Sequence, residues 1–235
     1  GRTKDFFIAD EDDIREVLAG FVADEKKMPG IIREISAAKQ GISGPGDSRA
    51  ILKRYDEALK AMNAIDIDDC IAIPAGLLRQ HDDLALSYRG RYAWILVDEL
   101  QDINAAQYEL LTLLAGPGSP NLFMIGAPDQ AIYGFRGSDA RFIDRMADQY
   151  PGMKLIRLDR SFRCPDPVMR AAGQILKKGG TPAGRDLDVK VHIREMPSDR
   201  SEADWIAGAI EQAIGGVRSF SMESGMSDGE AAADD

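Results

Sequence analysis

The stretch Arg91–Asn104, RYAWILVDELQDIN, decides how this chain is read. Five apolar or aromatic residues in succession, Ala93–Val97, predict a strand buried on both faces, and the run ends abruptly in the paired carboxylates Asp98 and Glu99. A parallel strand of an open α/β sheet delivers its C-terminal end to the crevice where ligands bind, which sets these two side chains where a metal-bound phosphate would sit. One carboxylate could hold Mg2+, usually through water, and the next could polarise a water for attack on a γ-phosphate. The plain alternative is a hydrophobic strand ending in a solvated acidic turn, and an Asp-Glu pair alone does not separate the two.

Three further strings bear on the choice. VDELQD at Val97–Asp102 is followed by GAPDQAIYGFRG at Gly126–Gly137 and LDRSFRCP at Leu158–Pro165, and preceded by AIDIDDCIAIPAGLL at Ala64–Leu78. In that order and at that spacing they resemble motifs II, III and IV, and the segment leading into motif II, of the UvrD/Rep family of superfamily 1 DNA helicases. The resemblance covers about Ala64–Leu176 and is specific to the family, not to one member. It implies a RecA-like parallel sheet of the P-loop NTPase type with a helical insertion, followed by the start of a second RecA-like domain.

Composition is that of an ordinary soluble protein: 235 residues, 44% hydrophobic, enough for one large or two modest cores. Cys70 and Cys164 lie far apart with only His81 and His192 to assist, which predicts neither a structural zinc site nor a disulfide framework and makes a reducing cytoplasm the default location. No apolar run approaches membrane-spanning length, so no membrane partner is expected. The net charge of -10 argues against a generic basic nucleic-acid binder. Five of the acidic residues fall between Ser219 and Asp235, a stretch without basic residues, so the body keeps 29 basic and 34 acidic side chains. That balance is compatible with a local basic groove.

Along the chain, helical spacing of apolar residues predicts helices over Asp10–Lys26 (Ile14, Val17, Leu18, Phe21, Val22), around Ile31–Ala38, and over Ala50–Met62 (Ile51, Tyr55, Leu59, Met62). Residues 1–63 thus read as a helical accessory unit. Ile65–Gln80 reads as a helix whose IDIDD cluster caps and solvates its start, with Pro74 as a possible kink. Strands at Tyr92–Val97, Asn121–Gly126 and Met153–Leu158, separated by helices at Asn104–Ala115 and Ser138–Tyr150, predict a β-α-β-α-β parallel sheet over residues 64–158. Residues 159–214 read as the start of a second α/β domain. Its expected elements are a helix opened by the LDRSFRCP segment and closed by Gly179-Gly180, an alternating strand at Leu187–Ile193, and a helix at Ser201–Ile214 begun by a capping box. Residues 215–235 are small, acidic and aperiodic, and are expected to be disordered.

A phosphate-binding motor needs a GxxxxGK[ST] loop. Gly179–Asp186, GGTPAGRD, has the glycine spacing but places Arg185 and Asp186 where lysine and Ser/Thr belong, and Gly41–Ser48 has Asp47 at the lysine position. Both read as ordinary loops. Since the family carries its phosphate loop far upstream of motif II, the chain is expected to be an internal piece of a longer motor and inactive as an ATPase alone.

The resemblance also assigns roles. Asp98 would bind Mg2+ and Glu99 would act as general base on the water attacking ATP. Gln130 would sense the γ-phosphate, and Arg163 would act as an arginine finger. Tyr133 and Phe135 would stack on single-stranded bases, with Arg136 tying the loop to nucleotide or strand. The partners implied are ATP and single-stranded or partly duplex DNA, with 3′ to 5′ polarity in repair or replication. Departures from the family pattern are Ala127 for the aspartate of motif III, Leu100 for an aromatic, and Ser161-Phe162 for Asn-Tyr. Two other readings stay open, a non-catalytic DNA-binding or regulatory module derived from a helicase and an unrelated P-loop-type ATPase.

Overall fold

A computed structural model describes residues 2–42, 48–118, 121–177 and 183–215. The chain divides into two compact units, Gly1–Ile156 and Arg157–Asp235.

The first unit opens with β1 (Phe7–Ile8) and three helices, α1 (Glu11–Ala19), α2 (Met28–Lys39) and α3 (Ser48–Ala61), and then returns to β2 (Ala64–Ile65), which pairs in parallel with β1. The acidic run at Asp10 does what its position suggests. The Asp10 carboxylate accepts from the Asp12 and Asp13 N–H groups while Asp13 answers to the Asp10 N–H, and three acidic residues line the first turn where the helix dipole favours them. The helix expected to run to Lys26 ends at Ala19, followed by Gly20, and Asp24 caps a separate 3-10 turn at Glu25–Lys27. Leu18, Met28, Ile35, Tyr55, Leu59, Ala9 and Ala64 form the core, with Ile14, Val17, Phe21, Val22, Ile31, Ile32 and Ile51 packed on it. The expected stripes are therefore the packed faces, except that Met62, past the end of α3, is exposed.

Beyond β2 lie α4 (Asp69–Gln80), α5 (Asp82–Arg91), β3 (Ile95–Val97), α6 (Ala105–Ala115), β4 (Leu122–Met124) and α7 (Phe142–Gln149). The helix expected over Ile65–Gln80 is thus strand at its first residue and helix only from Asp69, with Pro74 inside it. The IDIDD cluster also departs from expectation. Asp66 and Asp69 are buried, at 4% and 5% exposure, and grip the Lys39 ammonium at 2.8 and 2.7 Å. Tyr55 donates its hydroxyl to the same Asp66 oxygen at 3.0 Å, and Asp68 accepts from Ser36 and Gln40. One capping role survives: Asp66 Oδ1 accepts the Asp69 N–H at 2.8 Å. A cluster that local sequence places on a solvated helix start is instead a clasp between α2, α3 and α4, because Lys39 arrives from elsewhere in the chain to neutralise it.

β3 and β4 pair in parallel with Ile95, Leu96 and Val97 opposite Leu122, Phe123 and Met124, and α6 connects them. Asn104 and Gln107 form a reciprocal capping box at the start of α6. Tyr108 stacks on Phe142 with ring centroids 4.5 Å apart, fixing α7 to α6. Here burial differs from expectation. Ile95, Val97, Leu122 and Met124 are half-buried, whereas Leu96 (73%), Phe123 (53%) and Trp94 (68%) on the other face are exposed. Apolar composition records that a strand can be buried on both faces, but burial itself needs a covering layer. Residues 153–159 carry no ladder, so the described strands form three two-stranded parallel sheets instead of one three-stranded sheet.

The second unit contains β5 (Arg160–Pro165), α8 (Asp166–Leu176), β6 (Ala183–Arg185) and α9 (Asp199–Ala213), with β5 and β6 parallel through an irregular register. The segment expected to open a helix is strand until Pro165, and the helix takes Pro167 in its first turn, where a missing N–H is harmless. Leu187–Ile193 makes no ladder, and its alternating apolar residues are exposed. The N-cap of α9 is Ser198, which accepts from the Ser201 N–H, so the helix starts earlier than the Ser201 box implies. Gly179-Gly180 and the expected disordered tail past residue 215 lie outside the described residues, as does most of the GISGPGDS loop. Among the described residues, no helix is long and apolar enough to cross a membrane.

Candidate functional site

Asp98 and Glu99 emerge at the C-terminal end of β3, both exposed. Glu99 sits at φ 50°, ψ 45°, a left-handed conformation that ordinary side chains rarely adopt and that costs on the order of 1–3 kcal/mol. Its surroundings hold it there. The Glu99 N–H donates to Asp98 Oδ1 at 2.9 Å, its carbonyl accepts the Asp102 N–H at 2.8 Å, and the next residue, Leu100, donates its N–H to Ile125 O at 2.9 Å. The turn converts the strand into the 3-10 segment Leu100–Asp102 and swings Gln101 inward.

Gln101 is 1% exposed. Its Nε2 donates to Glu99 Oε2 at 2.7 Å and to Asp102 Oδ2 at 3.3 Å, while its Oε1 accepts the Ala127 N–H at 2.9 Å. One side-chain amide therefore spans from the acidic pair to the start of the GAPDQAIYGFRG loop. Gly126 lies directly against it: a Cβ there would meet Leu100 Cβ at 3.2 Å and Gln101 Oε1 at 3.3 Å. Sequence reasoning gave Gln101 no role; the available signal was a lone amide beside Leu100, inside the string VDELQD itself.

The loop itself consists of two 3-10 turns, Pro128–Gln130 and Gly134–Arg136. Gln130 is exposed on the first. Tyr133 precedes the second and Phe135 lies within it, their rings tilted at 54° with centroids 6.2 Å apart, and Phe135 is 80% exposed. The Arg136 guanidinium lies over both rings, 5.7 and 5.5 Å from their centroids, so the three side chains form one cationic aromatic surface. Just past the loop, hydrogen bonds from Arg141 hold the Asp139 carboxyl below its usual range.

Gly137 closes the loop at φ +80°, and a Cβ on it would approach Ile42 Cδ1 to 2.1 Å. Gly137→Ala is expected to lower stability by ~1–3 kcal/mol through backbone strain and overpacking. A denaturant midpoint equal to wild type in urea would show that Ile42 and the loop yield freely.

Of the residues singled out by sequence, Asp98 and Glu99 are tied through Gln101 to the loop that carries Gln130, Tyr133, Phe135 and Arg136. Arg163 is exposed on β5 of the second unit.

A family model described as the UvrD/REP helicase N-terminal domain matches residues 2–151, which takes in the acidic turn, the Gln101 bridge and the aromatic loop. The chain belongs to the UvrD/Rep helicase family. Among its UvrD/Rep relatives, YjcD of Bacillus subtilis is 34% identical over 170 residues, covering 70% of this chain and 22% of its own length. The ATP-dependent DNA helicase Rep of Escherichia coli is 30% identical over 193 residues, covering 75% of this chain and 28% of Rep. The ATP-dependent DNA helicase PcrA of Staphylococcus aureus is 29% identical over 234 residues, covering 89% of this chain and 32% of PcrA. This UvrD/Rep chain thus spans less than a third of the length of each of these two helicases.

Proposed function

We propose that this chain supplies part of the motor of an ATP-dependent DNA helicase, in which a RecA-like core and the start of a second couple ATP hydrolysis to 3′ to 5′ movement along single-stranded DNA and to duplex separation in repair or replication. The observation that carries the proposal is the junction of an exposed acidic pair with an exposed aromatic loop through the buried Gln101 amide. Hydrolysis chemistry and a strand-binding surface would have to communicate in such a motor, and the Gln101 amide offers a path from the acidic pair to the start of the aromatic loop.

The donor set suits magnesium. Asp98 and Glu99 offer hard carboxylate oxygens at an exposed strand end, and the Glu99 N–H fixes the rotation of Asp98 through Oδ1. Asp98 would hold the ion, which when bound neutralises phosphate charge. Glu99 accepts the proton of the attacking water. Gln130 responds to the γ-phosphate end of the site, and Arg163 would serve as an arginine finger, for which its planar fork suits phosphoryl charge in a way that lysine does not reproduce. A second reading, a DNA-binding module without hydrolysis, has one specific observation behind it: residues 1–235 contain no GxxxxGK[ST] string. Magnesium-dependent ATP hydrolysis stimulated by oligo(dT), measured on the full-length protein, separates the two.

The aromatic surface gives a test that does not depend on hydrolysis. Tyr133→Ala and Phe135→Ala are each expected to weaken oligo(dT) binding by ~1–3 kcal/mol, nearly independently of base sequence, because every base has a π-face. The salt dependence stays almost unchanged, whereas Arg136→Ala lowers the salt slope by about 0.7 if Arg136 meets a phosphate. Since Phe135 is 80% exposed, its truncation is expected to alter fold stability by no more than about 0.5 kcal/mol. Fluorescence anisotropy with labelled oligonucleotides at several salt concentrations reads all three variants. Wild-type affinity in both aromatic variants would remove these rings from the strand-binding surface.

A further inference from the structure

Gln101 is the most buried polar side chain near the site, and the chemistry assigned to Asp98, Glu99 and the loop does not use it directly. Both ends of its amide are committed. The NH2 end donates to the Glu99 carboxylate at 2.7 Å, and the oxygen end accepts the Ala127 N–H at 2.9 Å. A side-chain amide donates and accepts from opposite ends of a rigid plane, so moving one partner tilts the plane against the other. The freedom to absorb such a tilt is small. Leu100 is 3% exposed, a Cβ on Gly126 would press on Leu100, Gln101 and Ile143 at 3.2–3.3 Å, and Glu99 is held in a left-handed turn.

We propose that Gln101 is a positioning residue that makes the orientation of the Glu99 carboxylate depend on the position of the 126–137 loop, so that strand binding at Tyr133, Phe135 and Arg136 is felt at Glu99. The mechanical link stands on geometry alone; its meaning for hydrolysis rests on the function proposed above. The link predicts an asymmetry between two substitutions. Gln101→Met keeps the length of the side chain and removes all three of its hydrogen bonds. Gln101→Glu keeps an acceptor for the Ala127 N–H and, when ionised, donates to neither Glu99 nor Asp102.

The test uses the 15N-labelled 235-residue chain and follows the Ala127 amide by NMR. Glu99→Gln, an exposed and nearly isosteric change, is expected to shift the Ala127 amide more than the amides of Leu122–Met124. That response is expected to vanish in a Gln101→Met or Gln101→Glu background. Ala127 amide exchange is expected to be roughly tenfold faster in Gln101→Met and to stay slow in Gln101→Glu. An Ala127 amide that ignores Glu99→Gln, or responds equally without Gln101, overturns the link. Glu99→Gln in the otherwise native chain decides this even if Gln101→Met fails to fold. A merely structural Gln101 would slow nothing specific, so hydrolysis supplies the second readout: Gln101→Glu is expected to reduce oligo(dT) stimulation of ATP turnover about tenfold with oligonucleotide affinity retained. Full stimulation in that variant overturns the functional half of the proposal. An intact NMR response in the 235-residue chain, together with no strand-stimulated hydrolysis in a form of the protein that carries a phosphate-binding loop, supports the link and overturns the helicase reading instead.

Discussion

Glu99→Gln is expected to cut strand-stimulated ATP turnover by ~10²–10⁴-fold while nucleotide binding is retained. Glutamine has the shape of glutamate but cannot accept a proton from an attacking water. The substitution is also structurally mild. Glu99 is exposed, and the bond it receives from Gln101 Nε2 can be accepted by an amide oxygen, so the left-handed turn keeps its support. A loss of turnover therefore reports chemistry, not unfolding. The measurement is kcat and ATP affinity, with and without oligo(dT), in a form of the protein that hydrolyses ATP. Turnover near wild type would take Glu99 out of the base role and leave the acidic pair as a solvated turn.

Lys39→Met is expected to destabilise the first unit by ~3–5 kcal/mol, because it leaves Asp66 buried without its counter-charge and Asp69 with only Arg2, 3.7 Å away. Nearby Asp56 also loses its ion pair, 3.2 Å from Lys39 Nζ. Neutralising both buried carboxylates in the same background, with Asp66→Asn and Asp69→Asn, is expected to restore much of the loss, since the cost lies in unpaired charge and not in missing contacts. The clasp also sets an alkaline limit. Burial by itself lowers the Lys39 pKa, but the hydrogen bonds and charges of Asp66 and Asp69 outweigh it and hold it above its ordinary value. Burial, with the Asp66 charge and hydrogen bond, also pushes the Tyr55 phenol well above its ordinary value. Both groups bind their protons more tightly folded than unfolded. Their contribution is complete below about pH 10, where unfolded tyrosine and lysine begin to lose protons, and declines as pH rises from there. Urea midpoints between pH 7 and the alkaline range measure it. A flat profile together with a stable Lys39→Met variant would mean that the clasp is solvated in solution.

Local reading carried far in the helices. The stripes of α1, α2 and α3 depend on residues within one or two turns of each other and were legible as spacing and residue type, and the caps found at Asp10 and Asn104 are equally local. The strand ending in Asp98-Glu99 was legible for the same reason, as was its parallel partner at Leu122–Met124, because a helix of the right length stands between them. The reading fell short in two places where distance along the chain mattered and in one where the choice was local. The two-residue strand β1 carries no periodicity that could announce it, and it exists because Ala64 and Ile65 return to pair with Phe7 and Ile8. Asp66 and Asp69 looked like solvated caps because nothing near them in sequence could pay their desolvation; Lys39 does so from α2. Ser198 took the capping position expected at Ser201 because either serine satisfies the local pattern.

The site divides along the same line. The residues carrying charge, aromatic surface and the tight glycine turns are a property of the strings VDELQD and GAPDQAIYGFRG, and the sequence by itself determined them, as it determined the family. Only the tertiary structure decided that Leu96, Phe123 and Trp94 stand exposed, that Phe135 and Tyr133 share one arginine, and that Gln101 joins the two strings. Composition and spacing state what a side chain can do with its neighbours in the chain, whereas burial and hydrogen bonding depend on which distant atoms reach it, and those are chosen by the fold as a whole.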